Sequence, residues 1–512
     1  MEIKSIQNIL NSNRKQQLFI WLLLISAFLV RCIFFSGGVR GSDAFVYAQV
    51  AYDIASGQYD LFTTNMIAGF RYSVLLPTAL SFACLGVNDI AASIFPIIFS
   101  LLNVLVVFQT GKKLFNRDIA IISAFLLIFY PLDIITANIL SPDSFIPFFS
   151  SMAILFYIMA EEKTALTSRR KVYLILSGIL IAFSYMSRVS AIFLFMSLAI
   201  FQIYHKKHAS FVWTTVGLFI PLAMEAIYFY LSTGDPFFEF HRITDLSIAY
   251  NIKYNHSFGL LFYPKIMFGF DLTGMAFFGL TWWFVVCGLI LSLFKKDAKM
   301  LFIAVCLIIP FIGFEFGFQS LKEGILIVKG YNYLSLLTGP AMIIGAYFLY
   351  HLKQALLVEY KTKLLTVFFT VLIIGSMNLY GTYRLYVNLK NDAAPYIAVA
   401  DYLKIIPGGI IYTHHERWPL FLEYFLCYDP SYKFRGLNNL NKIDINKISD
   451  AYAVLNKRYI EADNYGRPIP QDTFVARYAK SPPQNWIKVL SFAGKPSYNS
   501  VDLYYIQKAV SQ

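Results

Sequence analysis

The sequence predicts a polytopic α-helical membrane protein of about eleven spans, followed by a small C-terminal α/β domain in water. Three observations predict it. Hydrophobic residues make up 57% of the 512 and charged residues only 14%, more apolar surface than a soluble chain of this length can hide. Apolar runs close to the length of a bilayer crossing recur through residues 18–381. From residue 382 the composition shifts to ordinary soluble usage, with Asn, Asp, Lys and Pro.

A crossing needs ~20 apolar residues at ~1.5 Å rise per residue. Eleven segments qualify: 18–36, 90–110, 119–137, 144–160, 172–187, 189–204, 210–231, 272–294, 300–318, 332–350 and 364–381. The first reads as a retained anchor, being too long for a signal h-region and lacking a small-residue cleavage site behind it. Segments 172–187 and 189–204 would also fit one long broken helix, which would invert everything downstream.

Charge decides between the two. Lys4, Arg14 and Lys15 precede the first segment, and Lys112, Lys113 and Arg117 follow the second. Lys163, Arg169, Arg170 and Lys171 follow the fourth, and Lys206 and Lys207 the sixth. Lys295, Lys296 and Lys299 follow the eighth, and Lys353, Lys361 and Lys363 the tenth. With eleven spans all of these share one side, which predicts a cytoplasmic N-terminus and an outer C-terminus. The same bias accounts for the net charge of +13 without a nucleic-acid partner.

Three stretches then face outward. Residues 37–89 contain an apolar helix, Tyr72–Leu85, interrupted by Pro77 and followed by Gly86, expected to lie at the outer interface. Residues 232–270 are rich in aromatics and carry Asp235, Glu239, His241, Arg242 and Asp245. In the tail, Ala393–Ile405 reads as an amphipathic helix, Pro407-Gly408-Gly409 as a turn, and Ile410–Thr413 and Val501–Gln507 as strands. The expected domains are therefore 1–381, with its two outer loops, and 382–512.

Several classes are excluded. The five cysteines are scattered without a CxxC pair, so no disulfide framework is expected. There is no Walker A sequence and no HExxH, which argues against ATP-driven transport and zincin chemistry. His414-His415 reads as a polar strand end in preference to a metal site.

Acids beside membrane helices are costly and are candidates for function. Asp43 follows the first span and Asp143 precedes the fourth, both at the outer boundary. On spacing alone, Asp43 fits equally a loop carboxylate or helix cap, and Asp143 a first-turn acid favoured by the helix dipole. Arg71, Arg188, His241, Arg242 and Lys329 stand on a side that avoids positive charge. Together they suit an anionic ligand such as a phosphate, although Arg188 also fits a residue snorkelling to the headgroups. Asp89 and Asp133 read as caps. Glu225 and Glu315, inside spans, read as paired between helices or as marks of a pathway.

Four stretches carry a resemblance to a family. They are Ser42-Asp43-Ala44-Phe45-Val46-Tyr47 through Gly57, Arg71-Tyr72-Ser73-Val74-Leu75-Leu76-Pro77 through Gly86, the basic turn Gly111–Arg117, and Tyr130-Pro131-Leu132-Asp133 with Leu140-Ser141-Pro142-Asp143. In this order and topology the chain resembles the GT-C class of membrane glycosyltransferases. Its nearest groups are the protein O-mannosyltransferase-like and aminoarabinose-transferase-like enzymes of glycosyltransferase family 39. The match is best over the first third. Later, Lys329-Gly330-Tyr331-Asn332-Tyr333-Leu334 looks like the family's basic–Tyr–Leu segment, with Asn332 where an Arg is usual. Asp43 is likewise followed by Ala44 where Asp-Glu is common.

The resemblance implies a sugar donor on polyprenyl phosphate, with its headgroup at the outer face of the cell membrane. A lipid, glycan or protein hydroxyl would accept the sugar. It implies Asp43 as the base and Asp143 as a second acid that orients the acceptor, positions a cation or tunes Asp43. Arg71, Arg242, Lys329 and His241 would hold the donor phosphate, and Tyr47 and Tyr333 would contact substrate. No cofactor is required, and a divalent cation between Asp43 and Asp143 is allowed without being demanded. The competing readings are a polysaccharide polymerase or ligase and a transporter or flippase of lipid-linked sugars. The clean spans and the charges gathered at the outer boundary favour the transferase.

Overall fold

The computed structural model describes residues 2–61, 67–162, 167–254, 260–268, 277–320, 325–327, 329–356, 360–413, 417–437, 449–456, 481–495 and 500–508. The chain divides into two compact units. One is Met1–Phe35, Asp60–Thr78 and Ser93–Leu385, and the other is Ser36–Tyr59, Ala79–Ala92 and Tyr386–Gln512. The second thus draws in parts of the first outer loop as well as the tail.

In chain order the helices are α1 (Glu2–Ile33), α2 (Ser42–Ala55), α3 (Tyr72–Leu85), α4 (Asp89–Leu114), α5 (Arg117–Ile128) and α6 (Pro131–Thr136). There follow α7 (Phe145–Glu161), α8 (Ser168–Ser187), α9 (Ile192–Tyr204), α10 (His208–Thr233), α11 (Phe238–Tyr254) and α12 (Phe262–Phe268). The last are α13 (Thr281–Lys295), α14 (Ala298–Phe316), α15 (Thr338–Leu356), α16 (Tyr360–Leu403) and α17 (Arg417–Phe425). Short strands β1 (Phe318–Ser320) and β2 (Ile325–Leu326) pair antiparallel after α14.

The first unit is a bundle whose helices start where the sequence supplies caps. Asn116 accepts from the Ile119 amide at 2.9 Å to open α5, and Asp297 accepts from Lys299 at 2.9 Å to open α14. Each cap follows a basic turn, so the charge that orients the chain and the residue that restarts it are adjacent. Arg188 sits in an extended conformation between α8 and a 3-10 turn at Val189–Ala191, making two helices of the pair that would also have fitted one. Gly178 and Gly217 let α8 and α10 meet closely, since a Cβ on either would collide with a backbone carbonyl of the other helix. That is how small residues serve where lipid removes the hydrophobic drive for helices to pair.

Five helical stretches are long and apolar enough to cross a membrane: Asp89–Leu114, Ser168–Ser187, His208–Thr233, Ala298–Phe316 and Tyr331–Ala355. Gln17–Ile33, Phe145–Glu161, Val189–Tyr204 and Thr281–Lys295 are shorter apolar helices. Residues 272–276, which open the segment expected at 272–294, lie outside the described residues. α1 leaves Leu18, Trp21, Leu22, Ile25 and Leu29 exposed, the surface a bilayer covers. α3 has only 14 residues, about 21 Å at the helical rise, short of a ~30 Å hydrocarbon core.

Arg31 is fully buried and ion-paired with Asp133 at 2.5 Å, while Ser100 donates to the same carboxylate at 2.6 Å. Asp133 lies in the first turn of α6 but is no simple cap, because a buried guanidinium from α1 claims it. Asp89 opens α4 in the second unit, where it pairs with Arg40 at 3.0 Å and accepts from Tyr424 Oη at 2.9 Å.

In the second unit a five-stranded sheet has the order β4-β3-β5-β7-β6. It comprises β3 (Gly409–Thr413), β4 (Tyr432–Gly436), β5 (Ala451–Asn456), β6 (Trp486–Phe492) and β7 (Val501–Ile506). β3 runs parallel to β4 and β5, and β7 is antiparallel to β5 and β6. The parallel β3–β4 pair needs a crossover, which α17 supplies. Gly408 at φ +91° makes the turn into β3, a conformation other residues avoid. Tyr412, Ala453, Leu455, Trp486, Tyr504 and Ile506 share the sheet's core. The helix expected at 393–405 is the end of the 44-residue α16, since no Gly or Pro run interrupts the chain between 382 and 394. His414-His415 lies outside the described residues.

Candidate active site

In the first unit, the ends of α7, α8, α14 and the turn leading to α15 bring four charged side chains under cover. Asp143 is only 3% exposed. Its Oδ1 lies 2.8 Å from Nη2 of Arg188, which is also buried. Asn332 Nδ2 donates to Asp143 Oδ2 at 3.1 Å, and Ser335 Oγ to Oδ1 at 3.4 Å. The Arg188 guanidinium stacks over the Tyr333 ring at 4.5 Å from its centre, a cation–π contact that strengthens when water is excluded. Asn332, where the family resemblance expects an Arg, therefore supplies a neutral donor to a carboxylate that already holds one cation.

Lys329 is equally buried. Its Nζ meets Glu315 Oε1 at 2.5 Å, and Glu315 also accepts from the Phe262 and Tyr263 amides at 3.1 and 2.9 Å. Glu315 is thus paired between elements, satisfied by one ammonium and two amides, as a buried carboxylate requires. The Gly330 amide donates to Tyr263 Oη at 3.4 Å, tying the Lys329–Asn332 segment to α12.

Arg71 precedes α3 and lies within electrostatic reach of Glu239. Glu225 on α10 lies within electrostatic reach of Glu239 on α11. Burial, then the Glu225 charge, pushes the Glu239 carboxyl well above the usual carboxylate range. His241 is 61% exposed, and its Nδ1 lies 2.9 Å from Asp235 Oδ2. That hydrogen bond holds Asp235 below its ordinary range. Arg242 on the same helix is half-buried.

Asp43 and Tyr47 belong to the second unit. Asp43 is exposed in the first turn of α2, after Gly41 at φ +77°. Tyr47 is buried on the same helix. α2 docks on α17 through Phe45 and Phe421, whose ring centres are 4.1 Å apart.

The structure thus gathers Asp143, Lys329 and Tyr333 in one region, sets Arg71 beside Glu239, and places Asp43 and Tyr47 on α2. Among the described residues, no group of three or more His, Cys, Asp or Glu could hold a metal ion. Both oxygens of Asp143 already accept from Arg188, Asn332 and Ser335. Sequence reasoning gave Arg188 no definite role. Its signal was a lone cation between two apolar helices on the side where cations are few.

Residues 74–230 match the family model described as dolichyl-phosphate-mannose-protein mannosyltransferase. The fold is shared with ArnT from Cupriavidus metallidurans in the apo state, at TM-score 0.66 and 14% identity, covering 97% of this chain and 100% of that one. ArnT bound to undecaprenyl phosphate matches at TM-score 0.65 and 14% identity, covering 97% and 99%. This chain has the GT-C glycosyltransferase fold. The GT-C chain also matches the Archaeoglobus fulgidus oligosaccharyltransferase in its apo form, at TM-score 0.55 and 13% identity, covering 87% of this chain and 70% of that one. By sequence, no curated protein matches it. The GT-C resemblance read from the four stretches is borne out, and the protein is a multi-pass membrane protein of that fold.

Proposed function

We propose that this protein transfers a sugar from a polyprenyl-phosphate donor to an acceptor hydroxyl at the outer face of the cell membrane. The observation that carries the reading is the buried Asp143–Arg188–Tyr333 assembly within a GT-C fold. It is a preorganised cation at helix ends, where a phosphate headgroup would meet the chain. Support also comes from the ArnT structure bound to undecaprenyl phosphate, which shares the fold over nearly the whole chain.

In this reading eleven segments cross the membrane, the N-terminus is cytoplasmic and residues 382–512 lie outside. The acceptor oxygen attacks the anomeric carbon as the bond from that carbon to the phosphate oxygen breaks. The acceptor proton passes to Asp43 in the first turn of α2. Polyprenyl phosphate departs with the bonding pair, and its growing charge is met by cations fixed beforehand. Arg71, Arg242, Arg188, Lys329 and His241 are the candidates for that role. Asp143 acts by holding Arg188, and Tyr333 by giving the guanidinium a face to rest on. Tyr47 braces the helix that carries Asp43. These steps require no cofactor.

The test is sugar transfer in isolated membranes with a panel of labelled polyprenyl-phosphate sugars. Label reaching a lipid, glycan or protein acceptor supports the reading. Sugar-lipid crossing the bilayer with no transfer from any donor would replace it with transport.

A further inference from the structure

The basic turns hold cations of two kinds. Lys113 meets Glu162, Arg170 and Lys207 meet Glu161, and Lys353 meets Asp118. Among the described residues, Lys295 and Lys299 form no such ion pair. Lys295 Nζ lies 3.2 Å from His351 Nδ1 instead. An ammonium only donates, so an imidazole nitrogen accepts where the other cations have a carboxylate.

One tight turn brings the two lysines together. α13 ends at Lys295, Lys296 closes the turn at φ +49°, and Asp297 caps α14. Lys295 and Lys299 then rim a cavity of about 470 Å³, whereas Lys296 is not among its lining residues. The floor is apolar and buried, formed by Leu114, Ile119 and Tyr347. The Tyr347 and Tyr350 rings lie 4.5 and 5.2 Å from the His351 ring, both steeply inclined to it, and hold it in place. Asn116 and Asp297 also line the cavity, so the N-terminal ends of α5 and α14 open on it, and such ends favour anions. The Asp297 carboxylate opposes an anion. Its Oδ1 is held by the Lys299 and Met300 amides at 2.9 and 3.5 Å, and two ammoniums against one carboxylate leave the rim positive.

We propose that this cavity binds a phosphate ester, with the phosphate on Lys295 and Lys299 and the organic part on the Tyr347 floor. The volume falls within the roughly 300–1,000 Å³ of small-molecule sites. An anionic oxygen is a stronger acceptor for an ammonium than an imidazole nitrogen is, so the ligand draws Lys295 away from His351. The site is distinct from the one around Asp143. Ser335, just before α15, meets Asp143, and His351 stands 13 residues after Thr338, about 20 Å along the helix. In the topology proposed above the cavity faces the cytoplasm, but binding requires neither that topology nor the sugar donor. A phospholipid headgroup and a soluble phosphate ester both present this chemistry, and the test separates them.

Full-length protein in maltoside micelles, which carry no phosphate, is treated with an amine-acylating reagent, and the labelling rate of each lysine is read by mass spectrometry. The probes are phosphatidylglycerol added to the micelles and glycerol phosphate added to the buffer. Labelling of Lys295 and Lys299 is expected to slow with at least one probe, while Lys296 keeps its rate. Protection by phosphatidylglycerol alone assigns the site to a lipid headgroup, and protection by glycerol phosphate to a soluble ester. Lys295→Gln and Lys299→Gln are each expected to raise the probe concentration for half-protection of the remaining lysine about tenfold, one charged hydrogen bond apiece. Lys296→Gln is expected to leave it unchanged. All three side chains are exposed, so none of these changes disturbs the core. Protection by neither probe overturns the proposal. Equal protection of Lys296, or equal weakening by Lys296→Gln, also overturns it, because the general field of the basic turn then accounts for the binding. No sugar is transferred in this measurement, so its outcome is independent of the donor reading.

Discussion

Arg188 reaches Asp143 at 2.8 Å across the start of α7 and the end of α8, and the contact is buried on both sides. A carboxylate and an aromatic face hold the guanidinium in that position. Removing Asp143 takes that carboxylate away from a buried charge. Asp143→Ala should therefore destabilise the protein by about 3–5 kcal/mol, and Asp143→Ala with Arg188→Met by clearly less, because the double change removes both charges. Thermal unfolding of the detergent-solubilised variants checks this. Equal losses in the single and double variants would show that the pair is not the source of the cost.

Arg188→Lys keeps the charge but loses the planar fork and the stacking on Tyr333. Its expected effect is a raised KM for the lipid-phosphate donor, with kcat less affected. Donor-saturation kinetics of sugar transfer separate the two. A wild-type KM would take Arg188 out of donor binding.

Asp43 presents the opposite case. It is exposed, so Asp43→Asn should leave the unfolding midpoint within about 0.5 kcal/mol of wild type while transfer falls by roughly 10²–10⁴ or more, the scale of a lost general base. Equal transfer by both proteins would remove Asp43 from the mechanism and direct attention to Asp143.

Lys329 and Glu315 form a closed pair, with the Phe262 and Tyr263 amides on the same carboxylate. Lys329→Met alone should cost about 3–5 kcal/mol, and adding Glu315→Gln should recover part of it. The check is the same unfolding series. A Lys329→Met variant with unchanged stability and lost donor binding would instead assign Lys329 to the phosphate.

In the second unit, Glu423 and Asp53 are both raised above the usual carboxylate range, in each case chiefly by burial, and Glu423 also by the charge of Asp53. A raised acid contributes stability that is complete below its unfolded pKa and is lost as pH climbs through the folded value. Amide protection of residues 417–428 should therefore decline as pH rises above the ordinary carboxylate range. Glu423→Gln should flatten that decline. Hydrogen exchange on the full chain, corrected for its intrinsic pH dependence, measures it, and a decline of unchanged size in the variant would rule Glu423 out as the cause.

Much of this was legible in one dimension. Helices form over the apolar runs because backbone groups in lipid must be satisfied within the segment, so hydropathy alone marks them. The Pro407-Gly408-Gly409 turn and the strand after it follow from local conformational preference. Caps were legible in part: Asp89 does open a helix, yet Asp133 is claimed by Arg31 from α1, 102 residues away, and no local pattern records such a partner. The single helix α16 was missed because composition changes along it while the backbone does not break.

The sequence by itself determined the membrane class, the outer placement expected of the charged candidates, and the family resemblance. Each depends on residue type and order along the chain. Only the tertiary structure decided which carboxylate meets which cation. Arg188 goes to Asp143, and Lys329 to Glu315. The reason is physical. A buried charge is tolerable only with a partner within hydrogen-bond reach, and reach is set by how the helix ends converge, a property of packing that separation in sequence does not encode.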